Sequence, residues 1–276
     1  MDNFSIFINT TDSFEDCWIP FFTLFKKYWP DYKGLIYLNT ETKKFTFPGL
    51  HIISLQNNKL TPNAPITWSE CLIRALKIID SDLILYMQED YFLKDEVEND
   101  IVERYVKLLQ DNKDVHCIHL TDQGSPAEKP SDFEKLWHIP QKDHDRISCQ
   151  AALWRKDVLL QYVREYETAW NFECWGSKRA AILKHNFYVV DKQWVRLNHF
   201  EIIPYIFTGV IGGRWYKEII NLLERNNILI DYSKRGFFES KNLTLKDRIK
   251  AKLKRLPIEI HSSIDLFKLR LQTIFK

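Results

Sequence analysis

Ser81-Asp82-Leu83-Ile84-Leu85-Tyr86-Met87-Gln88-Glu89-Asp90-Tyr91-Phe92-Leu93 is an apolar run that stops at two adjacent carboxylates. The uninterrupted stretch Leu83 to Met87 is too short to span a bilayer and reads as a strand buried on both faces. Glu89 and Asp90 then stand at its C-terminal end, the edge at which open α/β sheets bind ligands. A carboxylate pair there can hold a divalent cation, which in turn clamps a diphosphate. The alternative is a solvated turn that caps the next segment.

Outward from this strand, the chain alternates strands and helices. Phe4 to Thr10 is a first strand ending in the polar run Asn9-Thr10-Thr11-Asp12, a loop of the kind that receives nucleotides in α/β folds. Ser13 and Asp16 predict a capping box for a helix with Phe14, Trp18, Phe21, Phe22, Phe25 and Trp29 inward, and with Pro20 as a kink or first turn. Gly34 to Asn39 and His51 to Leu55 read as strands. Thr67-x-x-Glu70 and Asp95-x-x-Glu98 predict capping boxes for the helices on either side of the central strand. Val115 to Leu120 and Ile147 to Trp154 continue as strands, Lys156 to Tyr166 as a helix and Phe187 to Val190 as a short strand. The segment Asp122 to Arg146, with three prolines and no periodicity, reads as a long loop over the site. The expected fold class is α/β, a mixed and mostly parallel sheet with helices on both faces.

Composition narrows the class. With 276 residues, 45% hydrophobic and 14% aromatic, the chain can bury a sizeable core. Nine tryptophans weakly suggest sugar or base stacking, although core packing explains any one of them. Cys17, Cys71, Cys117, Cys149 and Cys174 form neither a zinc pattern nor a disulfide framework, which suits a reducing compartment. The first residues do not read as a signal peptide. The most apolar window, Ile202 to Ile211, is broken by Pro204 and Gly209, so the expectation is a cytoplasmic protein.

Charge is unevenly spread. Residues 241–276 carry ten Lys or Arg against three Asp or Glu, a surplus of +7, which leaves −5 for residues 1–240 of the overall +2. This shift divides the chain into a body, 1–240, and a basic helical C-terminal tail, 241–276. Leu245, Ile249, Leu253 and Leu256 recur at helical spacing among cations, which predicts peripheral attachment to an anionic membrane surface on the cytoplasmic face. A solvated helix packing its leucines on the body is the alternative. Nucleic acid is not an expected partner, because the tail offers few aromatics for stacking and the body is acidic.

The strand running into Gln88-Glu89-Asp90-Tyr91-Phe92, with Ser148 to Trp154 and Trp170-Asn171-Phe172-Glu173 later, resembles the GT-A (Rossmann-like) glycosyltransferases, in particular bacterial enzymes of surface polysaccharides. The resemblance covers roughly residues 4–236. It implies a nucleotide-sugar donor, UDP-sugar favoured, a glycan or lipid-linked acceptor, and transfer with inversion. It also implies Mn²⁺ or Mg²⁺ held by an Asp-x-Asp motif, of which only Asp90 matches, because Gln88 replaces the first acid and Glu89 is the middle residue. His199 and Arg214 are the candidates to complete a metal site or to replace the cation. Donor contacts then fall to Asn9, Thr10, Thr11, Asp12, Glu89 and Arg214, and acceptor contacts to Trp170 and Phe172. Glu173 is the expected base, because two flanking aromatics would desolvate it and raise its pKa. A nucleotidyltransferase on a similar sheet, a two-carboxylate hydrolase and a membrane-peripheral scaffold are the rival classes. The chain shows no glycine-rich phosphate loop for the first, and beyond Glu89 or Asp90 and Glu173 no carboxylate pair for the second.

Overall fold

The computed structural model describes residues 4–61, 64–122, 127, 129–240 and 244–275, without the side chains of 245–252 and 254. Eight strands form one sheet. They are β1 (Phe4–Asn9), β2 (Leu35–Leu38), β3 (His51–Ser54), β4 (Leu83–Gln88), β5 (Val115–His119), β6 (Leu136–Ile139), β7 (Ala152–Arg155) and β8 (Asn186–Val190). Their order is β3-β2-β1-β4-β7-β5-β8-β6. Pairs β2/β3, β1/β2, β1/β4 and β5/β8 are parallel, whereas β7 runs antiparallel to both β4 and β5, and β6 antiparallel to β8. The sheet is therefore mixed and mostly parallel, as the alternation of strands and helices predicts.

β4 is buried from Leu83 to Met87, which is why its sequence is uniformly apolar and not alternating. Each such side chain contributes roughly 1.5–3 kcal/mol of burial. Around the sheet lie α1 (Glu15–Tyr28), α2 (Trp68–Ile78), α3 (Asn99–Asp111), α4 (Lys156–Tyr162), α5 (Ala169–Ala180) and α6 (Ile219–Arg225). α1 puts Trp18, Phe21, Phe22 and Phe25 into the core. A short hairpin of β9 (Val210–Ile211) and β10 (Arg214–Trp215) follows β8, and α7 (Leu245–Ile274) is the C-terminal helix.

Of the three capping boxes expected, only the one at Thr67 forms, with its hydroxyl accepting from Glu70 N at 3.0 Å. Ser13 bonds Thr11 instead and Asp16 pairs with Arg235, while Asp95 caps its neighbour Glu96 and α3 begins one turn later. Pro20 stands inside α1, past its first turn. The segment 122–146 is not only loop. It supplies β6, the edge strand beyond β8, and the strand expected over Ile147 to Trp154 is confined to β7. Residues 123–126 and 128 of that segment lie outside the described residues.

Candidate active site

The strand order reverses at β1 and β4: β2 and β3 lie to one side of them, and the later strands to the other. Such a switch point opens a crevice at the C-terminal strand ends. Asn9 and Gln88 are register partners there, so Thr10 and Glu89 face each other as the strands finish.

A ladder of side-chain hydrogen bonds crosses this edge. Asn9 Nδ2 donates to Tyr86 Oη (3.1 Å), Asn39 Nδ2 to Asn9 Oδ1 (2.7 Å) and Asn57 Nδ2 to Asn39 Oδ1 (2.5 Å). Asn9 is thereby committed to holding β4, β1 and β2 in line. Thr10 Oγ1 accepts from Trp18 Nε1 (2.9 Å), and Thr11 shares a bond with Ser13 (2.7 Å). Asp12 and Glu41 clasp each other: Asp12 N donates to Glu41 Oε2, Glu41 N to Asp12 Oδ1, and both the amide and the hydroxyl of Thr42 to Asp12 Oδ2. Beside this clasp lies a polar cavity of about 380 Å³, lined by Asp12, Glu41, Thr42 and Asn58, with Pro65 and Ile66 on its other wall. Its size suits a small organic ligand. A second cavity, about 530 Å³ around Phe4, Trp29 and Tyr32, lies at the start of β1, the opposite end of the sheet.

Glu89 and Asp90 are both 6% exposed. Asp90 fastens the incoming segment. Its Oδ2 accepts from Thr208 Oγ1 (2.6 Å) and Val210 N (3.1 Å), and its carbonyl accepts from Gly209 N (2.9 Å). Gly209 is required for this approach, because a Cβ there would stand 2.3 Å from the Phe92 ring and 2.9 Å from the Asp90 carbonyl. Burial pushes Asp90 up from the ordinary carboxylate range, with the Thr208 and Val210 bonds opposing. Burial also pushes Glu89 well up, the adjoining Asp90 charge adds to this, and the Arg235 cation works against it.

Arg235 has no local signature in the sequence. Its Nε and Nη2 grip Asp16 (2.7 and 2.5 Å) and Nη2 also donates to Ser13 O (2.6 Å). The guanidinium lies over the rings of Phe14 (4.3 Å) and Trp215 (5.5 Å). Asp16 is 219 residues away along the chain, so no spacing could reveal the pair. Arg214 is exposed on the adjacent hairpin, with its Nη1 3.5 Å from where a Cβ on Gly236 would be.

Glu173 lies on the same sheet edge. β7 enters antiparallel, so Ala152 pairs with Tyr86 near the end of β4, and residues 148–151 border the crevice. Glu173 Oε1 accepts from Cys149 N (2.7 Å), and Tyr91 Oη donates to the Cys149 carbonyl (2.9 Å). Gln150 Nε2 donates to Tyr91 Oη (3.1 Å), Tyr205 Oη donates to Gln150 Oε1 (2.9 Å), and the two tyrosine rings stack at 4.8 Å. This buried network ties the β4 end, the approach to β7 and the segment before β9 into one frame. Burial raises the Glu173 pKa, while the bonds from Cys149 lower it. Neither Lys178 nor Arg179 pairs with Glu173: Lys178 covers the Trp175 ring at 3.6 Å, and Arg179 binds Glu167 inside the core.

Trp170, one turn before Glu173, is 81% exposed. Phe172 is fully buried, 5.8 Å from the Trp68 ring, and helical period explains the split, because Phe172 shares the inner face with Gly176 and Arg179. Phe172 is therefore a core residue, out of an acceptor's reach. His199 is exposed in the turn closed by Arg196. Gly209 binds Asp90 and Pro204 binds Lys94, so the segment leads away from Asp90 well before His199 is reached. Among the described residues no three His, Cys, Asp or Glu side chains converge as a metal site. With Asp90 Oδ2 filled by two donors and His199 remote, the donor set expected for Mn²⁺ or Mg²⁺ does not fit.

No protein-family model and no curated protein matches this chain. Solved structures with some likeness include a glucosyl-3-phosphoglycerate synthase of M. tuberculosis, at 11% identity and TM-score 0.42, covering 88% of this chain and 89% of that one. S. aureus TarS 1-349 has 10% identity and TM-score 0.42, over 68% and 58% of the two chains. The bifunctional IspDF of Campylobacter jejuni has 16% identity and TM-score 0.34, over 75% and 46%. The chain thus spans less than two-thirds of TarS and about half of IspDF. With every score below 0.5, what these proteins bind or transfer stays with them.

Proposed function

We propose that the chain transfers a sugar from a nucleotide-sugar donor to an acceptor hydroxyl with inversion at the anomeric carbon. The observation that carries this reading is the alignment of Glu89, Asp90 and Glu173 along one sheet edge at the switch point, beside a polar cavity of about 380 Å³. The nucleotide end takes the cavity at Asp12 and Glu41, and its diphosphate lies between Thr10, Thr11 and the two cations Arg214 and Arg235. Glu173 takes the proton from the acceptor hydroxyl as its oxygen bonds the anomeric carbon. The bond to the diphosphate breaks on the opposite face, and the charge left on the leaving group meets the guanidinium pair. Burial favours the proton-accepting step by raising the pKa of Glu173 above the ordinary carboxylate value. Trp170 offers its exposed face to the acceptor sugar.

The reading extends to a surface-glycan or lipid-linked acceptor, and to a cytoplasmic protein held on the inner membrane face by its basic tail. Calorimetry against UDP-, GDP- and CMP-sugars tests the core of it. Binding of one donor class is the expected result, and binding of none would refute the reading.

A further inference from the structure

α7 has two opposed faces. The inner one is fixed to the body: Ser262 and Leu266 are buried, Arg164 Nε lies 3.0 Å from both oxygens of Asp265, Arg179 Nη1 lies 3.6 Å from Asp265, and His261 stacks on Tyr166 at 4.0 Å. The outer one is an exposed apolar stripe. Leu253, Ile260, Phe267 and Ile274 recur every seven residues, with Ile264 and Leu271 between them, and all are exposed. At 3.6 residues per turn these six fall on one side of the helix, away from Ser262, Asp265 and Leu266. The leucines at Leu253 and Leu256 are on that exposed side and do not pack on the body, while the side chains of Leu245 and Ile249 lie outside the described residues.

An exposed stripe of this length needs an occupant. Among the described residues no helix is long and apolar enough to cross a membrane, α7 included. Lys268 and Arg270, both exposed, fall on the two flanks of the stripe, where long cationic side chains reach headgroups beside a buried apolar face. The surplus of +7 over residues 241–276 opposes self-association of two such helices and favours an anionic surface.

We infer that α7 lies in the plane of an anionic lipid surface on its Leu253–Ile274 stripe while its opposite face stays locked to α5. The inference rests on the proposed membrane attachment of the tail and names the face and the lipid chemistry. α5 also carries Glu173, six residues or about 9 Å along its axis from Arg179. The helix that presents the candidate base is therefore the one anchored to the lipid-bound helix.

Flotation of the full chain with phosphatidylcholine vesicles, with and without phosphatidylglycerol, tests this without any sugar donor, so its outcome is separate from that of the transfer reading. Wild type is expected to float with the anionic vesicles at low salt and to dissociate at high salt. The double variant I264E/F267E alters only exposed positions, 49% and 62%. It should keep the wild-type circular dichroism and lose at least about tenfold in vesicle affinity. Asp265→Ala should still float, because it loosens the inner face only. No flotation of wild type, equal flotation on neutral vesicles, or undiminished flotation of I264E/F267E would each overturn the inference. A variant-sensitive dimer in sedimentation with no vesicle binding would also overturn it, and would assign the stripe to a second copy of the chain.

Discussion

Replacing Asp90 separates its structural part from any chemical one. In Asp90→Ala the Val210 amide loses its acceptor in a nearly closed environment, whereas the Thr208 hydroxyl keeps the Val210 carbonyl at 2.9 Å. An unsatisfied buried donor costs about 1–3 kcal/mol, so the stranded Val210 amide removes a sizeable share of a typical total of about 5–15 kcal/mol. Asp90→Asn keeps an oxygen that can accept both bonds and carries no charge. The sign of its effect follows from the raised pKa: a carboxylate whose folded-state value lies above the unfolded one favours its protonated form in the native protein, so its contribution declines as pH rises through that range. A neutral isostere escapes that decline, and Asp90→Asn should match or exceed wild type at pH 7. Urea unfolding of the three proteins at pH 7 reads the difference directly. Equal midpoints for the Ala and Asn variants, or an Asn variant as weak as Ala, would refute the view that Asp90 anchors the segment before β9.

Glu173→Gln preserves the bond from Cys149 N but cannot take up a proton, so kcat should fall about 10²- to 10⁴-fold while donor affinity in calorimetry stays unchanged. Burial pushes His119 down to about 4 from its usual 6.5, the bond to the Arg146 carbonyl opposing and the Arg146 charge adding. For a histidine with a lowered folded pKa the unfolded state binds the extra proton. Stability is then full above about pH 6.5 and is lost on the way down to about 4, by about 3 kcal/mol for this ring at 1.36 kcal/mol per unit. Urea midpoints from pH 7 to pH 4 should show it, with a flatter profile in His119→Gln. Glu167→Ala removes the two-oxygen partner of the fully buried Arg179, leaving Asp265 at 3.6 Å as its carboxylate, and should cost up to about 3–5 kcal/mol, measurable as a lowered urea midpoint.

The central strand was legible because a strand covered on both faces has no polar alternation to confuse with a helix, and its end coincides with the first acids. The Thr67 cap was legible for a similar reason, since the whole interaction fits within four residues. β6 was not, because Leu136 to Ile139 is a four-residue edge strand among charged residues and carries too little pattern to stand out from a loop. The site shows the same limit. Glu89, Asp90 and Glu173 declare themselves as acids beside apolar or aromatic neighbours. The partners that define what they do lie far off in sequence: Thr208 is 118 residues from Asp90, and Cys149 is 24 from Glu173. Phe172 could have been assigned inward from a helical reading of Trp170 to Arg179, which separates it from Trp170 and Glu173.

The insertion of β7 between β4 and β5 also governs the order in which the sheet can assemble. β4 and β5 are consecutive, run in the same direction and are joined by α3, the arrangement that pairs neighbours directly in a simple βαβ unit. Here they must remain apart until residues 152–155 arrive, and a chain that joins them early excludes the segment that carries Cys149 to the crevice. The β3-β2-β1-β4 half draws only on residues before Asp90, whereas closing the sheet needs contacts from Leu83 to Arg155. Contacts of such sequence separation slow folding because the loop must be ordered before any pairing rewards it. The β3-β2-β1-β4 half of the crevice can thus form early, and the half with the candidate base is completed only when the late strand enters between β4 and β5.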